Sequence, residues 1–235
     1  MPTTLAKAGM AGRLIVDSSS VPWQPSPAPG VWRKRLWHVG PAETGRVTSL
    51  VRFDPGAGFP AHGHPDGEEI FVLTGVFSDA DGDYPAGTYV LNPDGSRHAP
   101  RSAEGCTILV RLRQHPGDAW RRQAVLTDKV PWPASKDGRS AERPIAMNPG
   151  GRGRTSLIRI EPGGGVARPG HGLAEEIFVL SGELADEFGR FSAGTWIRNP
   201  VGSAHALRSE HGCAFLLSTG LPVTDGSSAT KQEKR

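Results

Sequence analysis

The 235-residue chain has only two cysteines, Cys106 and Cys213. They occupy matching places in an internal repeat, hence separate units, so no disulfide between them is expected, which suits a reducing compartment. Long apolar runs are also lacking. No stretch approaches the ~20 apolar residues of a membrane span, and the segment Met1 to Val16 has no secretory core, so the expectation is a cytoplasmic protein with no membrane partner. The charge balance is small, +3 at pH 7. No basic cluster interleaves with aromatic residues, and nucleic acid is not expected as a partner. Helical periodicity is scarce too, with Asp118 to Leu126 the one candidate for a short linker helix.

What the chain does have is glycine and proline, 52 residues together. They recur at matched positions, so they read as turns between short strands. Residues 48–113 and 155–220 are identical at about half their positions, including Thr-Ser-Leu, Glu-Glu-Ile-Phe-Val-Leu and Ala-Gly-Thr. Upstream, Val21-Pro22-Trp23 returns as Val130-Pro131-Trp132. A duplication of this length predicts two domains. The expected division is an N-terminal tail 1–13, a first unit 14–122, a second unit 123–222 and a disordered tail 223–235, whose residues from Thr224 lack any apolar period. Runs such as Leu50–Phe53, Ile70–Leu73, Thr88–Leu91 and Thr107–Val110 read as short strands. Asp81-Gly82 and Gly189 read as tight hairpin turns. Many short strands at regular spacing predict an all-β fold of two tandem jelly-roll barrels.

Chemistry concentrates in the first repeat. His62 and His64 are two apart and share one face of a strand; Glu68 follows a turn at Pro65-Asp66-Gly67, and His98 arrives from another strand after Pro93-Asp94-Gly95. Three imidazoles and one carboxylate could thus converge on one divalent transition metal, with iron, manganese, nickel, copper and zinc all compatible. The second repeat keeps His171, Glu175 and His205, but Pro169 stands where His62 stood. Two readings remain open there. The set is a facial triad with open positions, or an inherited scaffold that lost its site with that histidine; the second is preferred, because Leu173 and Ala174 also replace the polar Asp66-Gly67 turn.

These two boxes, Gly56 to Gly75 with His62, His64 and Glu68, and Gly87 to His98, resemble the signature motifs of the cupin superfamily. The strings His64 to Gly75, Asp83 to Tyr89 and Glu104-Gly105-Cys106 resemble its ChrR-like branch, and the likeness spans residues 14 to 220. The resemblance implies two barrels, a metal with one or two positions left to water or substrate, and Glu68 rather than Glu69 as the ligand. Glu69 is expected to point outward or pair with a neighbouring strand. Ser102 departs from the wider motif, which ends in Asn.

Similar cupins include dioxygenases acting on diketone-like or aromatic carbonyl substrates. A metal-dependent dioxygenase on a small carbonyl substrate is therefore the leading expectation. No general base is identifiable; Tyr84, Tyr89, Glu69 and Arg97 read as structural. The alternative is a stand-alone redox or metabolite sensor, in which Cys106 would be an oxidisable thiol instead of a packed one. Residues 1 to 45 carry no cysteine. The zinc-binding anti-sigma domain found in ChrR proteins is therefore not expected, nor is sigma-factor inhibition. Exposed edge strands make a homodimer plausible.

Overall fold

The structure, a computed structural model, describes residues 12–41, 44–117, 119–133, 138–151, 153–168, 170 and 172–221. Among these, strands dominate, and helical turns are confined to three short 3₁₀ segments. Every strand pairing is antiparallel. The strands form an eight-stranded sheet, a nine-stranded sheet and a two-stranded ribbon. The fold is thus all-β, with two jelly-roll barrels, as the sequence pattern predicts. The runs read as strands lie within Arg46–Phe53, Glu68–Ser78, Thr88–Asn92 and Cys106–Leu112.

Alternation along Glu68–Ser78 explains how each barrel closes. Ile70 and Val72 face the first barrel interior with Val51, Phe53, Ile108 and Val110. Phe71, one residue out of phase, faces the second barrel and packs with Leu50, Leu109, Phe178, Leu157, Trp196 and Leu216 in a shared core. Ile177 and Val179 repeat the inward pattern in the second barrel.

The same alternation sends the first glutamate of each Glu-Glu pair into its own barrel and the second between barrels. Glu69 accepts from Arg111 Nη1 at 2.7 Å and from Thr155 Oγ1 at 2.8 Å, and lies 3.0 Å from His115 Nε2. Arg111 Nε lies 3.0 Å from Glu176 Oε2, and Glu176 also accepts from Arg198 and from Trp196 Nε1. Burial alone would raise the Glu69 carboxyl, but Arg111 and His115 hold it well below the usual range. Glu69 therefore does pair with a neighbouring strand, and it is buried rather than outward.

One feature of the topology crosses the repeat. Leu14–Asp17 pairs with Thr195–Asn199 of the second barrel, and Gln123–Leu126 pairs with Thr88–Asn92 of the first. Each repeat thus lends its opening strand to the other's sheet. An arginine precedes each lent strand: Arg13 donates to Asp186 at 2.6 Å, and Arg122 to Asp79 at 3.3 Å. Arg13, at the end of the expected tail, is buried. Gln123–Leu126 corrects the expected linker helix. Its four residues complete an exposed sheet edge, and such tertiary pairing outweighs weak helical propensity; Asp118 and the tail from Thr224 lie outside the described residues.

Replacing Arg111 with Met would leave Glu69 without its closest cation in a buried setting. The expected cost is about 3–5 kcal/mol in urea unfolding. A loss below ~1 kcal/mol would show that Arg111 does not hold the barrels together.

Candidate metal centre

His62–His64 and Ser96–His98 form the two-stranded ribbon, in which His62 is directly paired with His98. His64 projects to the same side as His62, and the ring nitrogens of His62, His64 and His98 lie within 4.8 Å of one another. Glu68 opens the next strand, and its Oε2 is 3.4 Å from His64 Nε2 and 3.3 Å from His98 Nε2. All four residues named from the sequence motif are therefore brought together.

The turn between His64 and Glu68 is fixed by the backbone. Asp66 takes a left-handed conformation, φ 58°, and Gly67 follows at 75°. A Cβ on Gly67 would come within 3.2 Å of His115 and of the Asn92 carbonyl. Arg113 N donates to Gly67 O and His115 N to Asp66 O, so the segment after Cys106–Leu112 clamps this turn.

Two rings are oriented from behind. His62 Nδ1 donates to Pro60 O at 2.9 Å. His98 Nδ1 donates to Asp79 Oδ2 at 3.2 Å. Each bond places the proton on Nδ1 and leaves the Nε2 lone pair directed into the site, the usual arrangement behind a ligating imidazole. Asp79 also accepts from Tyr84 and from Arg122, the arginine that precedes a lent strand. Asn92 Nδ2 donates to Glu68 Oε2 at 2.9 Å. Neither Asp79 nor Asn92 was singled out from the motif, although both recur in the second repeat as Asp186 and Asn199.

The residues fit a cation. His64 Nε2 and His98 Nε2 are buried and have no hydrogen-bond partner, an arrangement costly for a polar atom unless something else completes it. Burial, then the neighbouring His98 and His62, drives His64 down to about 3. It is neutral in the physiological range, with its lone pair available. Burial pushes Glu68 up to about 7 against the opposing Asn92 bond. The cluster of three histidines could hold a metal ion, with the Glu68 carboxylate against it.

The cluster opens on a cavity of about 200 Å³. Its walls are mostly apolar, with Phe53, Phe59, Phe77, Ile108 and Val110 among them, while Arg33, Ser49 and Arg113 add polar groups.

The second barrel differs. His171 and Pro169 lie outside the described residues. Glu175 and His205 are both buried, with Glu175 Oε1 2.7 Å from His205 Nε2 and accepting from Asn199 at 2.8 Å. Its other oxygen takes Arg168 at 3.2 Å. Burial would raise Glu175, but His205 and the Arg168 charge bring it to about 2. A fixed guanidinium therefore already compensates this carboxylate, and the matching first-barrel position is Ala61.

Cys106 and Cys213 are free and buried, and burial raises both thiols. Ser102, the departure from the wider motif, is fully buried and donates to Val76 O at 2.6 Å. Among the described residues, no helix is long and apolar enough to cross a membrane.

A family model described as ChrR Cupin-like domain matches residues 11–116 and again 121–222. No curated protein sequence matches. Among solved structures, a candidate dioxygenase from Nostoc punctiforme is similar at a TM-score of 0.74 and 17% identity, covering 95% of this chain and 87% of the other. A candidate glyoxylate-induced protein from Pseudomonas aeruginosa has a TM-score of 0.70 and 14% identity over 91% of each chain. An oxalate decarboxylase from Lactobacillus farciminis, in complex with formate, has a TM-score of 0.66 and 15% identity over 92% and 88%. At such identities the likeness is one of fold.

Because a cation must displace the Glu68 proton below about pH 7, metal affinity is expected to weaken by up to about tenfold per pH unit below that point and to level off above it. Glu68→Gln should lower that slope by the one proton Glu68 releases, leaving only what the imidazoles contribute. Competition against a chromophoric chelator across pH reads both; an unchanged slope in the variant would exclude Glu68 as its source.

Proposed function

The chain belongs to the ChrR cupin-like family, and on that premise we propose that its first barrel is a metal-dependent enzyme site, a dioxygenase or related activity on a small carbonyl or diketone-like substrate. The observation that carries the reading is the pair of buried Nε2 atoms of His64 and His98 without a hydrogen-bond partner, set beside His62, where His62, His64 and Glu68 line a mostly apolar cavity.

His62, His64, His98 and Glu68 would hold the ion. A bound iron, manganese, nickel or zinc would supply Lewis-acid chemistry to a chelated carbonyl oxygen, and the redox-active metals electron transfer as well. The chain's own residues do the rest. Pro60 O and Asp79 keep the protons of His62 and His98 on Nδ1, so both rings stay correctly turned as a substrate enters. Phe53, Phe59 and Phe77 exclude water from the reacting end of the cavity, which strengthens every charge interaction there. Below about pH 7 Glu68 holds a proton in the metal-free state and would give it up when a cation binds.

Arg168 beside Glu175 supports a second barrel that serves as scaffold, its carboxylate already neutralised. The alternative of a redox sensor draws nothing from Cys106, which is buried with its thiol raised.

Plasma mass spectrometry of purified protein is expected to find about one transition metal per chain, lost in His62→Ala and kept in His205→Ala. The native protein should consume dioxygen with small 1,3-diketones if the bound metal is redox-active. Two metals per chain would overturn the scaffold role of the second barrel, and none would overturn the enzyme reading.

A further inference from the structure

The two repeats differ in the charge that faces the barrel interior. Arg33 pairs with Val51 on the cavity wall, and the matching position of the second barrel, opposite Ile158, is Glu142. Glu142 there is bound by Arg154 at 2.6 Å and Ser156 at 2.8 Å. Ser156 corresponds to Ser49, which lines the first cavity, is 1% exposed and has no hydrogen-bond partner for its hydroxyl. An orphaned hydroxyl in an apolar wall calls for a ligand acceptor or donor to complete it.

The third difference lies at the end of Cys106–Leu112. Arg113 adopts a left-handed backbone, φ 61°, while its counterpart Gly220 has φ 76°. Glycine suits that conformation and a side chain does not. The first barrel nevertheless carries an arginine there, on the cavity wall.

We propose that the first-barrel cavity takes a small carboxylic acid bearing a carbonyl group, its carboxylate held by Arg33, Arg113 and the Ser49 hydroxyl and its apolar body lying along Phe53, Phe59 and Val110. Guanidinium groups match a carboxylate in shape and charge. The cavity of about 200 Å³ has room for a single ring or short branched chain, since a void of ~150 Å³ accepts benzene. The carbonyl end then points to the histidine cluster, so the inference deepens the function proposed above and rests on it for that orientation.

The test uses benzoate and benzamide, which share a ring and differ in charge, titrated calorimetrically into zinc-loaded protein, into the metal-free protein and into loaded Arg113→Gly. Benzoate is expected to bind at least about tenfold more tightly than benzamide, and Arg113→Gly to erase that preference with zinc content unchanged. The glycine restores the residue that the second repeat carries at this turn, so the fold should survive; Arg33→Met gives an independent check with the same expected loss. Equal binding of the two probes, binding of neither, or a preference untouched by both variants would overturn the carboxylate subsite. If the chain holds no metal yet still prefers benzoate in an Arg113-dependent way, the subsite stands and the metal-enzyme reading falls.

Discussion

Arg111 lies between two buried carboxylates that come from opposite barrels, Glu69 and Glu176. Each carboxylate is the second of an adjacent glutamate pair, and adjacent strand residues face opposite ways. Holding Glu69 and Glu176 between the barrels therefore turns Glu68 and Glu175 inward. A one-residue slip in either strand would turn its interbarrel glutamate away from Arg111 into its own barrel and break the shared core around Phe71 and Phe178. The buried ion network and the inward carboxylate are two outcomes of one register.

The lent strands extend that dependence to the histidines. Arg122 enters the first barrel with its lent strand and shares Asp79 with His98. The orientation of one candidate ligand thus rests on a segment contributed by the start of the second repeat. Arg13 and Asp186 repeat the anchor in the second barrel, which has kept the scaffold while its interior diverged. Arg168 for Ala61, Glu142 for Arg33 and Gly220 for Arg113 together give the two barrel interiors different charge: Arg33 and Arg113 line the first cavity, while in the second barrel Glu175 is paired with Arg168 and Glu142 with Arg154.

Much of this was legible in the sequence because spacing alone expresses it. His62, His64 and His98 were placed by strand alternation and turn residues, Glu68 over Glu69 by the resemblance to the cupin motif, and the structure brings the four together. Asp79 and Asn92 were missed because they act through other residues and belong to no ligand pattern. Their recurrence as Asp186 and Asn199 was the available signal. The exchange of Leu14–Asp17 and Gln123–Leu126 could not be read, since a four-residue strand suits the matching edge of either barrel equally well. The expected helix failed for the same reason: a short weak segment takes the conformation its neighbour's open edge offers. Arg33 and Arg113 look like ordinary exposed charges until the sheet shows which way they face.

The central claim is that one metal ion sits on three imidazoles in the first barrel. X-ray absorption spectroscopy of protein loaded with a single equivalent of zinc tests it most directly, because imidazole rings give a distinctive multiple-scattering pattern. The account predicts three imidazoles, matching His62, His64 and His98, together with oxygen. A spectrum with two imidazoles or fewer would contradict it and move the metal away from this cluster.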